Sequence, residues 1–105
     1  MWGAALARAR SEGRPVMLDF YADWCVACIE MERETFAAPA VQERLQGALL
    51  LQADVTRNSA EDRALMARFG LFGPPAIVFY DATGSERSAQ RVIGFQNATD
   101  FQRSL

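Results

Sequence analysis

Two cysteines, three positions apart, are the side chains in this sequence best suited to chemistry. Cys25 and Cys28 are the only cysteines among the 105 residues, and the chain has no histidine. A thiolate attacks disulfide bonds, and a second thiol one helical turn away can resolve the mixed disulfide that results. The spacing therefore predicts thiol–disulfide exchange, with Cys25 as the exposed nucleophile and Cys28 as the more buried resolving thiol.

Two other uses of the cysteine pair stay open at this point. A zinc ion usually takes four ligands, and only carboxylates could complete the set here because the chain has no histidine and no second cysteine pair. A purely structural disulfide is the second alternative, but it would close so small a loop that it would constrain the unfolded chain little. The sequence favours redox use over both.

The elements expected around the pair explain why Cys25 could ionise. An apolar run at residues 16–22 predicts a strand covered on both faces, and residues 25–36 favour a helix. Cys25 would then lie where the strand ends and the helix begins, facing unpaired backbone N–H groups and the positive end of the helix dipole. Both features stabilise a thiolate.

Asp19 is the one charged residue in this first strand. Burial disfavours a charged carboxylate, so we expect the pKa of Asp19 to be raised. Asp19 could then exchange protons with Cys28 as the disulfide opens or closes. The alternative is an aspartate at a strand end that reaches solvent or caps a helix.

The order of elements predicts an α/β fold in a single domain over residues 1–105. A βαβ unit with parallel strands would be followed by an antiparallel hairpin, which gives a central mixed sheet of about four strands with helices on both faces. Asn58, with Glu61 three residues on, predicts a capping box for one helix. The predicted helices are 2–10, 25–36, 39–47, 58–69 and 97–105, and the predicted strands are 16–22, 48–55, 76–81 and 88–95.

Composition argues against several classes of partner. The net charge is −2 and there is no block of Lys or Arg, so the chain lacks the electrostatic footprint for nucleic acid or an anionic membrane surface. No apolar run approaches the roughly 20 residues that a bilayer crossing needs, and we expect the chain as written to be soluble. Residues 1–13 are typical of a short amphipathic helix rather than a signal peptide.

The motifs taken together resemble the thioredoxin superfamily across nearly the whole chain. A strand is followed by WCxxC at the start of a helix, and Pro74-Pro75 precedes a later strand. Within that superfamily, the segments VMLDFYADWCVACIEMERETF, LLQADVT and GPPAIVFYD closely resemble the C-terminal periplasmic domains of the DsbD family of membrane-embedded thiol:disulfide interchange proteins.

Two acids are candidate catalytic residues beside the cysteines. Glu32 is four residues beyond Cys28, so helical spacing returns it to the face that carries the sulfurs. The resemblance implies that Asp19 lies in the sheet beneath the dithiol and that Glu32 approaches it. Together the two acids would hold the Cys25 thiol protonated until a partner docks. The alternative for Glu32 is a solvated side chain.

The resemblance also implies a surface that binds the partner. The Pro74–Pro75 bond would be cis and face the dithiol, which would expose the backbone of Pro74 to an incoming peptide, and the alternative is an ordinary loop with a trans bond. Trp24, Phe72 and Tyr21 would supply an apolar rim. These three aromatic residues could equally be partly buried packing.

The function implied by the resemblance is that of a protein-disulfide reductase acting as an electron relay. The chain would be the C-terminal domain of a larger bacterial inner-membrane protein, located in the periplasm and monomeric in isolation. It would take electrons from the transmembrane domain of the same polypeptide, which draws on cytoplasmic thioredoxin. It would pass them to the N-terminal periplasmic domain, which serves disulfide isomerases and the thioredoxins of cytochrome c maturation.

The Cys25–Cys28 disulfide would itself be the redox cofactor, and we expect no metal, flavin or nucleotide because the chain has no GxGxxG or Walker pattern. Two rival functions remain. One is a free-standing periplasmic thioredoxin-like reductase or oxidase, and the other is a non-enzymatic binding module in which the CxxC disulfide only stabilises the fold.

Overall fold

The first strand lies inside the sheet and leads directly to the cysteines. In this computed structural model, which describes the backbone of residues 2–105 and the side chains of residues 4–105, strand β1 (Val16–Tyr21) has a neighbour on each side. It pairs in parallel with β2 (Leu49–Asp54) and antiparallel with β3 (Ala76–Tyr80). The short β4 (Val92–Ile93) pairs antiparallel with β3, which completes the order β2-β1-β3-β4. The predicted mixed sheet is therefore confirmed.

Helices cover both faces of this sheet. None of the helices formed by the described residues has the length and hydrophobicity that crossing a membrane requires. Within residues 2–105 the five α-helices are α1 (Trp2–Ser11), α2 (Val26–Glu30), α3 (Pro39–Arg44), α4 (Ala60–Arg68) and α5 (Ala98–Ser104).

Side chains of β1 point alternately into two hydrophobic cores, as the period of a strand requires. On one face Phe20 contacts Phe69, just after α4, in an edge-to-face arrangement with ring centroids 5.6 Å apart. On the other face Met17 packs in a cluster that contains Met31 and Phe101. Because both faces are covered, every residue of β1 is at least partly buried, which explains its near-continuous apolar sequence.

The helix predicted at residues 25–36 is not one regular α-helix. Cys25 caps α2, and the chain then widens into a π-helical turn over Met31–Thr35, closed by a bond from Phe36 N to Met31 O of 2.8 Å. The side chain of Thr35 is fully buried and donates from Oγ1 to the carbonyl of Gln96 at 2.6 Å. This bond ties the π-turn to the chain before α5.

The capping box predicted at Asn58 and Glu61 is wrong by one residue. Ser59 caps α4: its hydroxyl accepts from the backbone N–H of Asp62, and the Asp62 carboxylate accepts from the N–H of Ser59, both at 3.1 Å. Asn58 instead adopts a left-handed conformation with φ 49°, which turns the chain into the helix. The S-x-x-D spacing provides the same reciprocal bonding as the predicted pair.

The strand predicted at residues 88–95 is much shorter than expected. Residues Ser88–Gln90 form a 3-10 turn, and Val92–Ile93 are the residues that pair with β3. The Arg91 guanidinium accounts for the change, because it bonds the Glu86 carboxylate at 2.7 and 3.0 Å and thereby holds this segment as a folded loop. The final helix is confirmed and is capped by Asn97, whose side chain accepts from Asp100 N at 2.8 Å.

We predict that Ser59→Ala lowers the free energy of unfolding by about 1 kcal/mol, because it removes the acceptor for an N–H group at the start of α4. Glu61→Ala is the matched control and should cost less than about 0.5 kcal/mol, since the Glu61 side chain is exposed. Urea unfolding of both variants measures the difference. Equal losses of unfolding free energy in the two variants would contradict the assignment of Ser59 as the cap and support Glu61 in that role.

Candidate active site

Cys25 is the N-cap residue of α2. It follows β1 closely and has extended backbone angles, φ −92° and ψ 100°, while the residues after it are helical. The backbone N–H of Cys28 donates to Cys25 Sγ at 3.1 Å. A sulfur at an N-cap replaces the oxygen acceptor that usually serves there, and it receives both an N–H and the positive end of the helix dipole.

Cys25 and Cys28 form a disulfide, with their Cα atoms 5.2 Å apart. The expectation of an exposed Cys25 is wrong in this oxidised form: Cys25 is 6% exposed and Cys28 is 4% exposed. The physical reason is that both belong to the hydrophobic core formed with Phe20, against which Tyr21 and Leu71 also pack. The disulfide lies just below the surface, with Cys28 slightly deeper.

The Cys28 sulfur lies against the backbone of β1. Its Sγ is 3.8 Å from the carbonyl oxygen of Phe20. In the disulfide this sulfur carries no proton, but the thiol formed on reduction could donate to that carbonyl. Phe20 directly follows Asp19 in β1, so the residue whose carbonyl contacts the resolving cysteine is adjacent in sequence to the predicted proton acceptor.

Asp19 is a partly buried carboxyl group with an altered pKa. The pKa of Asp19 is raised from 3.8 to about 7: burial is the largest cause, the nearby charge of Glu32 contributes in the same direction, and a hydrogen bond from the Gln52 side chain acts in the opposite direction. The prediction of a raised pKa is confirmed. Near neutral pH such a group exists in both protonation states, which is the condition for giving and taking protons.

Glu32 lies on the first turn of the π-helical segment, and its side chain is exposed. It is nevertheless close enough to Asp19 for its charge to act on that carboxyl group. Gln52 connects the two acids: its Nε2 donates to Glu32 Oε1 at 3.1 Å, and its side chain also bonds Asp19, its partner in the β1–β2 register. The structure therefore brings both predicted acids together and adds Gln52.

Gln52 was not predicted as a site residue. Its one signal is its position, because a polar residue interrupts the apolar run of the second strand, just as Asp19 interrupts the first. The parallel register that makes them partners depends on pairing between segments some 30 residues apart.

The Pro74–Pro75 peptide bond is cis, as the family resemblance implies. Both prolines are partly buried, and the carbonyl oxygen of Pro75 accepts from Gly94 N at 3.0 Å. The bond directly precedes β3, the antiparallel neighbour of β1.

The three predicted rim aromatics differ in exposure. Trp24 is 58% exposed and Phe72 is fully exposed, whereas Tyr21 is partly buried. A hydrogen bond to the Asp23 carboxylate raises the pKa of the Tyr21 hydroxyl. Val26, between the cysteines, is also largely exposed and was not predicted as part of the rim. Tyr21 is therefore partly buried packing, whereas Trp24, Phe72 and Val26 have exposed apolar side chains.

The residues that the structure describes contain no group of three or more Cys, Asp or Glu side chains placed to hold a metal ion.

Comparisons with known proteins agree with this arrangement. Residues 1–82 match the family model described as thioredoxin-like. The chain is 56% identical over 101 residues to the thiol:disulfide interchange protein DsbD of Ralstonia nicotianae, a match that covers 96% of this chain and 16% of that protein. It is 57% identical over 99 residues to DsbD of Cronobacter sakazakii, covering 94% of this chain and 17% of that protein.

The structural comparison narrows the match to one part of DsbD. The oxidised C-terminal domain of DsbD from Neisseria meningitidis has a TM-score of 0.82 and 38% identity, with 97% of this chain and 88% of that chain covered. This chain belongs to the thioredoxin-like family, among the DsbD C-terminal domains. It spans about one sixth of the length of the complete DsbD relatives.

We predict how the pKa of Asp19 in this chain responds to its two neighbours. Glu32→Gln should lower it, because a like charge is removed. Gln52→Leu should raise it, because a donor to the carboxylate is lost. Carboxyl-carbon NMR titration measures both, with Glu34→Gln as the matched control on the same turn. No response to Glu32→Gln would contradict the described geometry.

The raised pKa of Asp19 also predicts how stability depends on pH. In the folded protein Asp19 keeps its proton up to about pH 7, whereas in the unfolded chain it ionises near pH 3.8. The free energy of unfolding therefore falls progressively as the pH rises between those two values. Asp19→Asn removes this effect. The stability advantage of Asp19→Asn over the wild type should grow by roughly 2 kcal/mol between pH 5 and pH 8, a value reduced for partial exposure.

Urea unfolding at the two pH values measures this change, and Glu34→Gln again serves as the control. An advantage of Asp19→Asn that stays constant between pH 5 and pH 8 would show that Asp19 ionises normally in the folded protein.

Proposed function

We propose that this chain is the C-terminal, periplasmic domain of a larger inner-membrane thiol:disulfide interchange protein, and that it relays electrons through Cys25 and Cys28. The single observation that carries the proposal is the N-cap sulfur of Cys25, bonded to Cys28 and supplied with the Cys28 N–H. The relationship to DsbD C-terminal domains supports the same reading.

The reaction would proceed in two exchanges that each move one electron pair. A thiolate of the donor attacks Cys25, releases Cys28 and forms a mixed disulfide. A second donor thiol then attacks the donor sulfur of that mixed disulfide and releases Cys25, which leaves both cysteines reduced and the donor with a disulfide. In the second exchange Cys25 attacks the disulfide of the acceptor, and Cys28 displaces the acceptor thiolate. The domain returns to its disulfide, and the acceptor holds two thiols.

The donor in this proposal is the transmembrane domain of the same polypeptide, which draws electrons from cytoplasmic thioredoxin. The acceptor is its N-terminal periplasmic domain, which supplies disulfide isomerases and the thioredoxins of cytochrome c maturation. The exposed side chains of Trp24 and Val26, which flank the buried Cys25 in the sequence, and of Phe72 suit docking of a protein rather than diffusion of a small thiol. We propose that the isolated domain acts as a monomer.

Asp19 would move protons for the inner cysteine. Cys28 must lose a proton to become the displacing thiolate and regain one when the domain is reduced. Asp19 lies one residue from the carbonyl that contacts Cys28 Sγ, and its pKa of about 7 allows both steps.

The same two acids would keep the resting dithiol unreactive. Negative charge on Glu32 and Asp19 disfavours a neighbouring thiolate and opposes the helix dipole at Cys25. A docking partner that changes the surroundings of these acids would then release the thiolate.

Replacement of each cysteine tests the relay. Cys25→Ala should reduce electron transfer to the N-terminal domain to the uncatalysed background, because the attacking sulfur is lost. Cys28→Ala should retain attack but accumulate the mixed disulfide, which a non-reducing gel detects. If both variants still reduce the N-terminal domain at the wild-type rate, the chain is a binding module with a structural disulfide.

The role of the acids has its own test. Asp19→Asn and Glu32→Gln should each lower the pKa of the Cys25 thiol in the reduced domain, so that iodoacetamide alkylates it severalfold faster at pH 7. Glu34→Gln should leave the alkylation rate unchanged. A thiol pKa that neither acid variant alters would remove the acids from control of reactivity.

A further inference from the structure

The loop that leads into Cys25 is bonded to a second loop far away in the sequence. The backbone N–H of Asp23 donates to Thr56 Oγ1 at 2.9 Å, and the indole Nε1 of Trp24 donates to the Thr56 carbonyl oxygen at 2.9 Å. One residue thus accepts hydrogen bonds from the two residues immediately before the reactive cysteine. On the other side of them, Cys25 N donates to the carbonyl oxygen of Ala22 at 3.0 Å.

Thr56 is itself held in place by a carboxylate. The backbone N–H of Thr56 donates to Asp54 Oδ1 at 2.9 Å, and the Thr56 hydroxyl donates to the same oxygen. A hydroxyl has one proton, and here it points at Asp54, so the lone pairs of Oγ1 are left for the N–H of Asp23. These bonds from Thr56 lower the pKa of Asp54, which keeps the carboxylate charged and the hydroxyl oriented at neutral pH.

These hydrogen bonds restrain Trp24, which is 58% exposed. An exposed aromatic side chain that rotates freely loses that freedom when a partner docks, and this loss weakens binding. The ring of Trp24 is already fixed by its bond to Thr56, and the backbone before it is fixed by the Asp23 bond. The contact surface beside Cys25 is therefore formed before a partner arrives.

We propose that Thr56 is a positioning residue for electron transfer to protein partners, acting through Trp24 and the turn before Cys25. This inference rests on the proposed function, because it concerns the docking step of that reaction. It assigns Thr56 no contact with the reacting sulfurs. The hydroxyl orients the Thr56 backbone through its bonds with Asp54 and the Asp23 N–H, and that backbone carries the carbonyl that accepts from Trp24. Loss of the Thr56 hydroxyl should therefore slow reactions that need docking against Trp24 and spare reactions that do not.

Two disulfide substrates of different size distinguish the reactions that need docking against Trp24 from those that do not. The reduced domain would be mixed with the oxidised N-terminal periplasmic domain of the Ralstonia nicotianae DsbD, or with glutathione disulfide, which is too small to depend on a fixed Trp24. Thr56→Val keeps the shape of the side chain and removes its hydroxyl. We expect it to slow the second-order reaction with the protein about threefold to tenfold and the reaction with glutathione disulfide less than about twofold.

Two controls accompany these rates. Thr56→Ser retains the hydroxyl and should restore the wild-type rate with the protein. Time-resolved fluorescence anisotropy of Trp24, with Trp2 replaced by Phe, should show faster ring motion in Thr56→Val than in Thr56→Ser. If Thr56→Val does not fold, Thr56→Ala replaces it, because its smaller side chain lets water reach the N–H of Asp23, and the same selective slowing is expected.

Several outcomes would overturn the inference. Equal slowing with both disulfides would indicate a general structural role, and an unchanged rate with the protein would indicate no role in docking. A failure of Thr56→Ser to restore the rate would exclude the hydroxyl as the cause. If the wild-type domain reduces the N-terminal domain and Thr56→Val does so equally well, this inference alone fails. If the wild type does not reduce it, the proposed function fails, and this inference with it.

Discussion

The hydrogen bond from the Cys28 N–H to the Cys25 sulfur is the interaction on which the site depends. It requires Cys25 to be the cap of α2, and that position follows from the abrupt end of β1 and the turn from Ala22 to Cys25. The same bond places the two sulfurs within bonding distance and gives the outer one a partial positive environment. The buried strand, the tight turn and the helix start form one local structure that places the Cys25 sulfur at the N-cap of α2.

Negative charges act against that stabilisation, and the fold brings them in from separate elements. Asp19 comes from β1, Glu32 from the π-helical turn, and Gln52 from β2 joins them. In the proposed function, the balance between the helix start and the two acids sets how readily Cys25 ionises. A π-turn within an active-site helix changes the direction of the residues on it, which is consistent with the frequent occurrence of such turns at functional sites.

Local patterns in the sequence predicted much of this arrangement. The position of Cys25 after a buried strand, the unusual Asp19 within that strand and the cis bond before β3 all depend on neighbours along the chain or on the family resemblance. The residues that were missed depend on long-range pairing: Gln52 meets Glu32 across 20 residues, and Thr56 meets Asp23 across 33. No periodicity encodes such contacts, because they are set by how the strands and loops assemble.

Electron donation by the Cys25–Cys28 pair is the central claim, and its redox equilibrium tests that claim most directly. The isolated domain would be equilibrated with mixtures of reduced and oxidised dithiothreitol or glutathione, and the fraction of disulfide measured after acid quenching and alkylation. We expect a reducing pair, with a potential of roughly −200 mV or lower. A potential near the roughly −120 mV of a strong disulfide oxidant would contradict it, because such a pair would accept electrons from its partner rather than donate them.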